Sequence, residues 1–186
     1  VSAGRGGKVR AYAGIGSRST PPDVLALMRS LAEKLARGSW VLRTGLSPGA
    51  DQAFYRGALL SGGEIELYLP WPGFQTRARL DIEGPGVRAL SRPSAAACEL
   101  ARRFHPGWNA LALPARRLLA RDAHEVLGAG LDSPAELVVC WTADGSLDGR
   151  DLYQDGTGQA LRIAHRHGIS VLNLARPDHV RRLVHS

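Results

Sequence analysis

The sequence predicts an α/β fold, a parallel sheet of about five strands with helices on both faces. Three observations predict it. Short apolar stretches alternate along the chain with segments whose apolar residues recur at helical spacing. Gly-rich turns follow several of the short stretches and run straight into helices. One stretch, residues 136–141, is apolar almost throughout, as expected of a strand covered on both faces. Strand–helix alternation of this kind favours right-handed crossovers, which bring the strand ends to one edge of the sheet.

Residues 9–15 read as the first strand, ending in the turn Gly14-Ile15-Gly16-Ser17-Arg18. Thr20 is a natural N-cap for the next helix, Pro21 suits the first helical position, and Asp23 complements the helix dipole. Val24, Leu27, Met28, Leu31 and Leu35 follow at helical spacing until Gly38. Residues 40–43 form strand two, Thr44 to Asp51 a second Gly-rich turn, and residues 50–60 a helix. Residues 64–69 form strand three. From about 70 to 113 the chain makes a long excursion, irregular over 70–93 with Pro72, Pro85 and Pro93, then helical over 94–104. Pro114 starts a helix with one apolar face, its other face holding Arg117, Arg121 and Glu125. Strand four covers 136–141 and a polar loop 142–155; Gly156-Thr157-Gly158 opens a helix to 167. Residues 169–174 form the last strand, and 177–184 a closing helix.

With 186 residues and 44% hydrophobic content, the chain can bury one real core, and residues 9–186 read as a single domain behind a flexible lead-in over 1–8. No apolar run is long enough to span a membrane. Cys98 and Cys140 have no zinc spacing, and neither the histidines nor the cysteines form a metal pattern, so no metal or other cofactor is expected. A reducing cytoplasm is the simplest home for two unpaired thiols. Net charge is +7, and of 24 basic residues only Lys8 and Lys34 are lysine, leaving 22 arginines. That charge attracts polyanions, and arginine's planar fork suits phosphate; GC-rich coding bias explains the same composition.

The three turns that follow strands one, two and four converge if the sheet is parallel. Their candidate ligand-binding residues are Gly14, Gly16, Ser17 and Arg18, then Thr44, Gly45 and Gly49, then Gly156, Thr157 and Gly158. Backbone N–H groups at helix starts are unpaired and favour anions. Trp141, at the end of strand four, is the best placed of Trp71, Phe74, Trp108 and Trp141 to stack a base. Asp51 falls in the first turn of a helix, where it either caps N–H groups or accepts from a ribose or base. Arg121 is either aimed at the crevice or solvated on a polar helix face. The Walker Lys, the third glycine of the dinucleotide fingerprint and a GxSxG elbow are all missing, which argues against those chemistries.

The motifs Ala13-Gly14-Ile15-Gly16-Ser17-Arg18, Thr44-Gly45-x-x-x-Gly49-Ala50-Asp51-x-Ala53-Phe54 and Leu69-Pro70-Trp71 resemble the SLOG superfamily of Rossmann-like nucleotide-binding domains. The resemblance covers roughly residues 9–174. Within the superfamily the chain is most similar to DprA-like proteins (DNA-processing protein A), including short single-domain ones often seen in phages. The family's Ser-Gly-x-x-x-Gly-x-Asp turn looks like Thr44 to Asp51, its Arg-Asn pair like Arg121-Asp122, and its later turn and helix like Gly156 to Ala164. This resemblance implies binding of a nucleotide or of single-stranded DNA, a recombinase as partner, a DNA recombination role, and homodimers. More distantly, the chain resembles Lonely Guy-type phosphoribohydrolases, which cleave the N-glycosidic bond of a nucleoside monophosphate. On that likeness Arg121 and a carboxylate would be catalytic, but Ala160 stands where the family's Glu belongs, leaving Asp51 or Asp155 as substitutes. A nucleotide-signal sensor is the third implied role.

Overall fold

The computed structural model describes residues 9–75, 84–152 and 156–184. The lead-in over 1–8, Asp155 and His185 lie outside the described residues. Six strands form one parallel sheet: β1 (Ala11–Gly14), β2 (Val41–Thr44), β3 (Ile65–Tyr68), β4 (Val87–Leu90), β5 (Leu137–Cys140) and β6 (Ser170–Asn173). Their order is β4-β3-β2-β1-β5-β6. The helices are α1 (Pro22–Arg37), α2 (Ala50–Leu60), α3 (Ala95–Phe104), α4 (Leu113–Leu127), α5 (Gly156–Arg166) and α6 (Pro177–Val184), with a short 3-10 turn at Trp108–Ala110. This is a Rossmann-like α/β fold.

The strand expected count of about five is corrected to six. The extra strand, β4, lies inside the stretch read as irregular. It pairs with β3 from Val87 through Leu90, yet three of its four residues are exposed. An edge strand so exposed needs no alternating apolar pattern, so Gly86, Pro85 and Pro93 dominated the reading. The N-cap assignment to Thr20 is also corrected: α1 begins at Pro22, and the Thr20 hydroxyl instead donates to the Ser17 carbonyl at 2.7 Å.

Two apolar layers cover the sheet. One joins α1, α2 and α6 residues, including Met28, Phe54 and Val180, to Tyr12, Leu42 and Ile65. The other joins α3, α4 and α5 residues, including Ala97, Ala123 and Leu161, to Ala13 and Val138. Strand order reverses between β1 and β5, so the carboxyl ends of these two strands diverge into the crevice where ligands bind open α/β sheets.

Helices α1 and α2 approach closely at Gly57. A methyl there would overlap the Arg29 carbonyl oxygen and stand 2.9 Å from Ala32 Cβ. In an open helix, Gly→Ala stabilises by up to about 1 kcal/mol. Overpacking costs about 1–3 kcal/mol and wins here. Gly57→Ala should therefore lower the urea midpoint; a midpoint unchanged or raised would show that the helices can separate freely.

Candidate functional site

At the switch point lies a cavity of about 1230 Å³. This is at or above the usual range for small-molecule sites, about 300–1,000 Å³. Gly16, Ser17 and Arg18 of the first turn, Ser47 and Asp51 of the second, and Gly156 and Thr157 at the start of α5 all line it. The three turns do converge. One wall is apolar, built by Leu111, Ala115, Leu118 and Leu119. His105, in the turn that follows α3, also faces the cavity.

Arg121 is the centre of the floor. It is only 6% exposed, which removes the solvated reading of this residue. Its guanidinium donates to the Gly45 carbonyl and to Ser47 Oγ, the latter at 3.1 Å. Three buried carboxyls surround it: Asp51 at 3.6 Å, Asp122 at 3.4 Å and Glu125 at 3.4 Å. Gly45 makes this possible, because any side chain there would occupy the space of the Arg121 guanidinium. The turn is tight, with Gly49 at φ 91° and the fully buried Leu46 at φ 65°. A branched residue in that left-handed region is strained. Asp51 accepts from the Ser47 N–H at 3.0 Å, holding the turn shut.

Burial alone would lower the basicity of Arg121, but the charges of Glu125, Asp122 and Asp51 more than reverse this and the guanidinium stays charged. Glu125 responds oppositely. Burial pushes its carboxyl well above the ordinary range; Arg121 pulls it down, while Asp122 and Asp51 push it further up. One cation faces three buried carboxyls, and Glu125 is the carboxyl that burial and its acidic neighbours push towards holding a proton to higher pH.

The remaining candidates surround this floor without all facing it. Thr44 is fully buried and its hydroxyl donates to the Gly14 carbonyl at 2.7 Å, tying β2 to the end of β1. Gly14 lies against Phe54, Gly49 against Ser17 and Arg18, and Gly158 against Leu152. Gly156 stands at Asp122, whose Oδ2 would be 3.1 Å from a Cβ at that position. Trp141 passes Gly16 with its backbone, while its side chain packs with the apolar layer on the α1 side. Phe74 edges onto Trp71 and lies 5.9 Å from the Arg121 guanidinium. Trp108 is buried beneath the α3–α4 connection.

Sequence reasoning placed Glu125 with Arg117 and Arg121 on the face of α4 opposite its apolar residues and gave it no part in the site. Residues 119–127 of α4 are all buried. The available signal was the i, i+4 spacing of Arg121 and Glu125, which puts both on one stripe. His105 gave no sequence signal.

The chain thus has a Rossmann-like fold whose switch-point cavity is built on a buried arginine–carboxyl cluster. It shares that fold with DNA processing protein A from Helicobacter pylori, described by its single-stranded DNA binding mode. The two are 16% identical, aligning over 96% of this chain and 72% of that one at a TM-score of 0.57. It also shares the fold with the molybdenum cofactor carrier protein of Chlamydomonas reinhardtii. There identity is 17%, coverage is 93% of this chain and 81% of that one, and the TM-score is 0.54. No family model and no curated protein matches the chain. Among the described residues no helix is long and apolar enough to cross a membrane, and no cluster of metal-ligating side chains occurs.

The Glu125 proton makes stability depend on pH. Unfolded, the carboxyl ionises near pH 4.5; folded, it holds its proton to higher pH. The folded state then binds more protons, so stability falls as pH rises through this window. Glu125→Gln should remove that loss. Urea unfolding from pH 5 to 8 should move in favour of the variant by up to about 1.4 kcal/mol per pH unit. Parallel profiles would mean that Glu125 is ionised in the fold.

Proposed function

We propose that the cavity binds a nucleoside phosphate, with sugar and base inside and phosphate at the rim. The observation that carries this is the arginine–carboxyl cluster at the switch point. Its carboxyls accept hydrogen bonds from sugar hydroxyls or a base amino group. The apolar wall of Leu111, Leu118 and Leu119 offers a face for the base. The phosphate belongs at the rim because the floor is acidic. Asp51 lies in the first turn of α2, and Asp122 reaches over the start of α5. A phosphate at either helix start would meet a carboxylate before it met the N–H groups. Ser17 and the exposed Arg18 line the outer part of the same cavity.

The comparison with the Helicobacter protein supports a related ligand class, since a DNA strand is a chain of nucleotides. From the sequence's resemblance to DprA-like proteins we also propose a recombinase partner, a role in DNA recombination and a homodimer.

A second reading, turnover, is favoured by one observation. Ala160 lines the cavity where the phosphoribohydrolase Glu is expected, but Glu125 lines it too, and burial pushes its carboxyl above the ordinary range beside Asp122. A carboxyl that holds its proton to higher pH beside a second carboxyl is the arrangement of an acid–base pair. Water would add to the sugar C1′ as Asp122 takes its proton, and Glu125 would protonate the departing base as the C1′–N bond breaks.

Calorimetric titration with ribo- and deoxyribonucleoside monophosphates tests the binding, and chromatography of the same mixtures tests turnover. At least one nucleotide should bind, and Asp122→Asn should weaken it about 10- to 100-fold, the range of a charge-assisted hydrogen bond. No binding across the panel would remove the reading. Free base, abolished by Glu125→Gln with binding retained, would add catalysis; binding without release would exclude it.

A further inference from the structure

Helix α3 ends at the cavity without a glycine cap. Its last residue is Phe104, and His105 leaves it with an extended backbone, at φ −111° and ψ 112°. The last four carbonyls of a helix have no partner within it and must find one elsewhere. Two of them find partners on α5. Gln159 Nε2 donates to the Ala101 carbonyl at 2.9 Å, and Arg162 Nε donates to the Phe104 carbonyl at 3.0 Å. The residues that follow, His105, Pro106 and Gly107, form one lip of the switch-point cavity.

A second lip, Asp151 and Leu152, comes from the β5–α5 loop. The same guanidinium reaches it. Arg162 Nη1 donates to the Gly149 carbonyl at 2.7 Å and to the Leu152 carbonyl at 3.1 Å. Its Nη2 donates to Gln159 Oε1 at 3.0 Å, so every nitrogen of the fork is engaged. Gln159 is fully buried and held by its own bond to Ala101, which fixes the angle of the fork. The loop lies flush on α5. A methyl at Gly158 would overlap the Leu152 carbonyl, and one at Gly149, at φ 67°, would overlap the Gly158 carbonyl. The other end of the loop is fixed separately. There the fully buried Asn173 donates to Thr142 Oγ1 at 2.7 Å and to the Ser146 carbonyl at 2.8 Å. Arg162 thus ties the cavity end of the loop to the end of α3.

A planar fork sets geometry as well as supplying charge. Lysine would offer the same carbonyls a point charge on a flexible stem and would not fix the distance between them. We propose that Arg162 is the positioning residue of the cavity mouth. One guanidinium sets the separation of the His105–Gly107 lip from the Asp151–Leu152 lip, so the two lips move as one. Arg162 itself is not part of the lining, and its effect on a ligand passes through the lips. For that effect the proposal rests on the nucleotide reading of the cavity; the coupling of the lips does not.

The test is amide hydrogen exchange resolved by residue in the free protein, comparing wild type, Arg162→Lys and Arg162→Ala. Trp108, Ala110 and Leu111 report on the first lip and Gly149 and Leu152 on the second, since each of these amides is hydrogen-bonded within its own segment. In Arg162→Lys, which keeps the charge, both groups should exchange about tenfold faster, while β1 and β2 keep the wild-type rates. Guanidinium chloride well below denaturing concentrations should restore slow exchange in Arg162→Ala, and sodium chloride at equal ionic strength should not. Faster exchange in one lip alone would overturn the coupling. Faster exchange in β1 and β2 as well would reduce Arg162 to a general support of the fold and overturn the proposal. In titrations with the panel of nucleoside monophosphates, the one that wild type binds most tightly should bind Arg162→Lys about tenfold more weakly. Unchanged affinity with both lips loosened would overturn the positioning role. Coupled lips in a protein that binds no mononucleotide would uphold the brace and overturn only the reading of the cavity.

Discussion

Burying a guanidinium among three carboxyls is the constraint on which the rest of this structure depends. Taking a charge out of water costs several kcal/mol per ion, and the cost is offset only where partners sit close on well-aligned sides. Arg121 meets that demand by reaching from α4 to the β2–α2 turn, where the Gly45 carbonyl and Ser47 hydroxyl accept from it. The turn is shaped for the guanidinium: there is no side chain at 45, and Leu46 takes an unfavourable backbone conformation. That same turn fixes where α2 begins, hence where Asp51 stands and where Gly49 meets Arg18. One ion cluster therefore sets the cavity floor and its rim.

The cluster also explains why a chain with net charge +7 has an acidic cavity. Positive charge is plentiful on the surface, where arginines keep most of their hydration. Inside, three carboxyls surround Arg121 and outnumber it. The same imbalance pushes the Glu125 carboxyl above the ordinary range. Bulk charge thus describes how the molecule attracts a polyanion, and says nothing about what its cavity accepts.

Most of the sheet was legible because each strand alternates with a helix of clear period, and because Gly-rich turns mark the strand ends. The missing strand, β4, shows where that logic stops. An exposed edge strand is held by backbone bonds to β3, and nothing in Val87-Arg88-Ala89-Leu90 records a buried face. The site was legible in part for a similar reason. Turn residues such as Gly16, Ser17 and Asp51 announce themselves by chain position. Glu125 does not, because amphipathic reasoning assigns charged residues to solvent. Helix α4 breaks that assumption: the sheet, α3 and α5 surround its last three turns, and its polar stripe faces an internal cavity.

Fold alone cannot choose the ligand. The two structural neighbours share this architecture, yet one is described as a molybdenum cofactor carrier and the other by its binding of single-stranded DNA. Discrimination has to come from the side chains at the switch point. Here both helix starts that would suit an anion are met by the protein's own carboxylates, Asp51 at α2 and Asp122 at α5. The positions that favour negative charge are filled from within, which is why the proposed nucleotide has its phosphate at the rim, beside Arg18. The acidic floor and the exposed arginine at its rim are two consequences of one arrangement, and what distinguishes this cavity from those of its structural neighbours lies in those side chains.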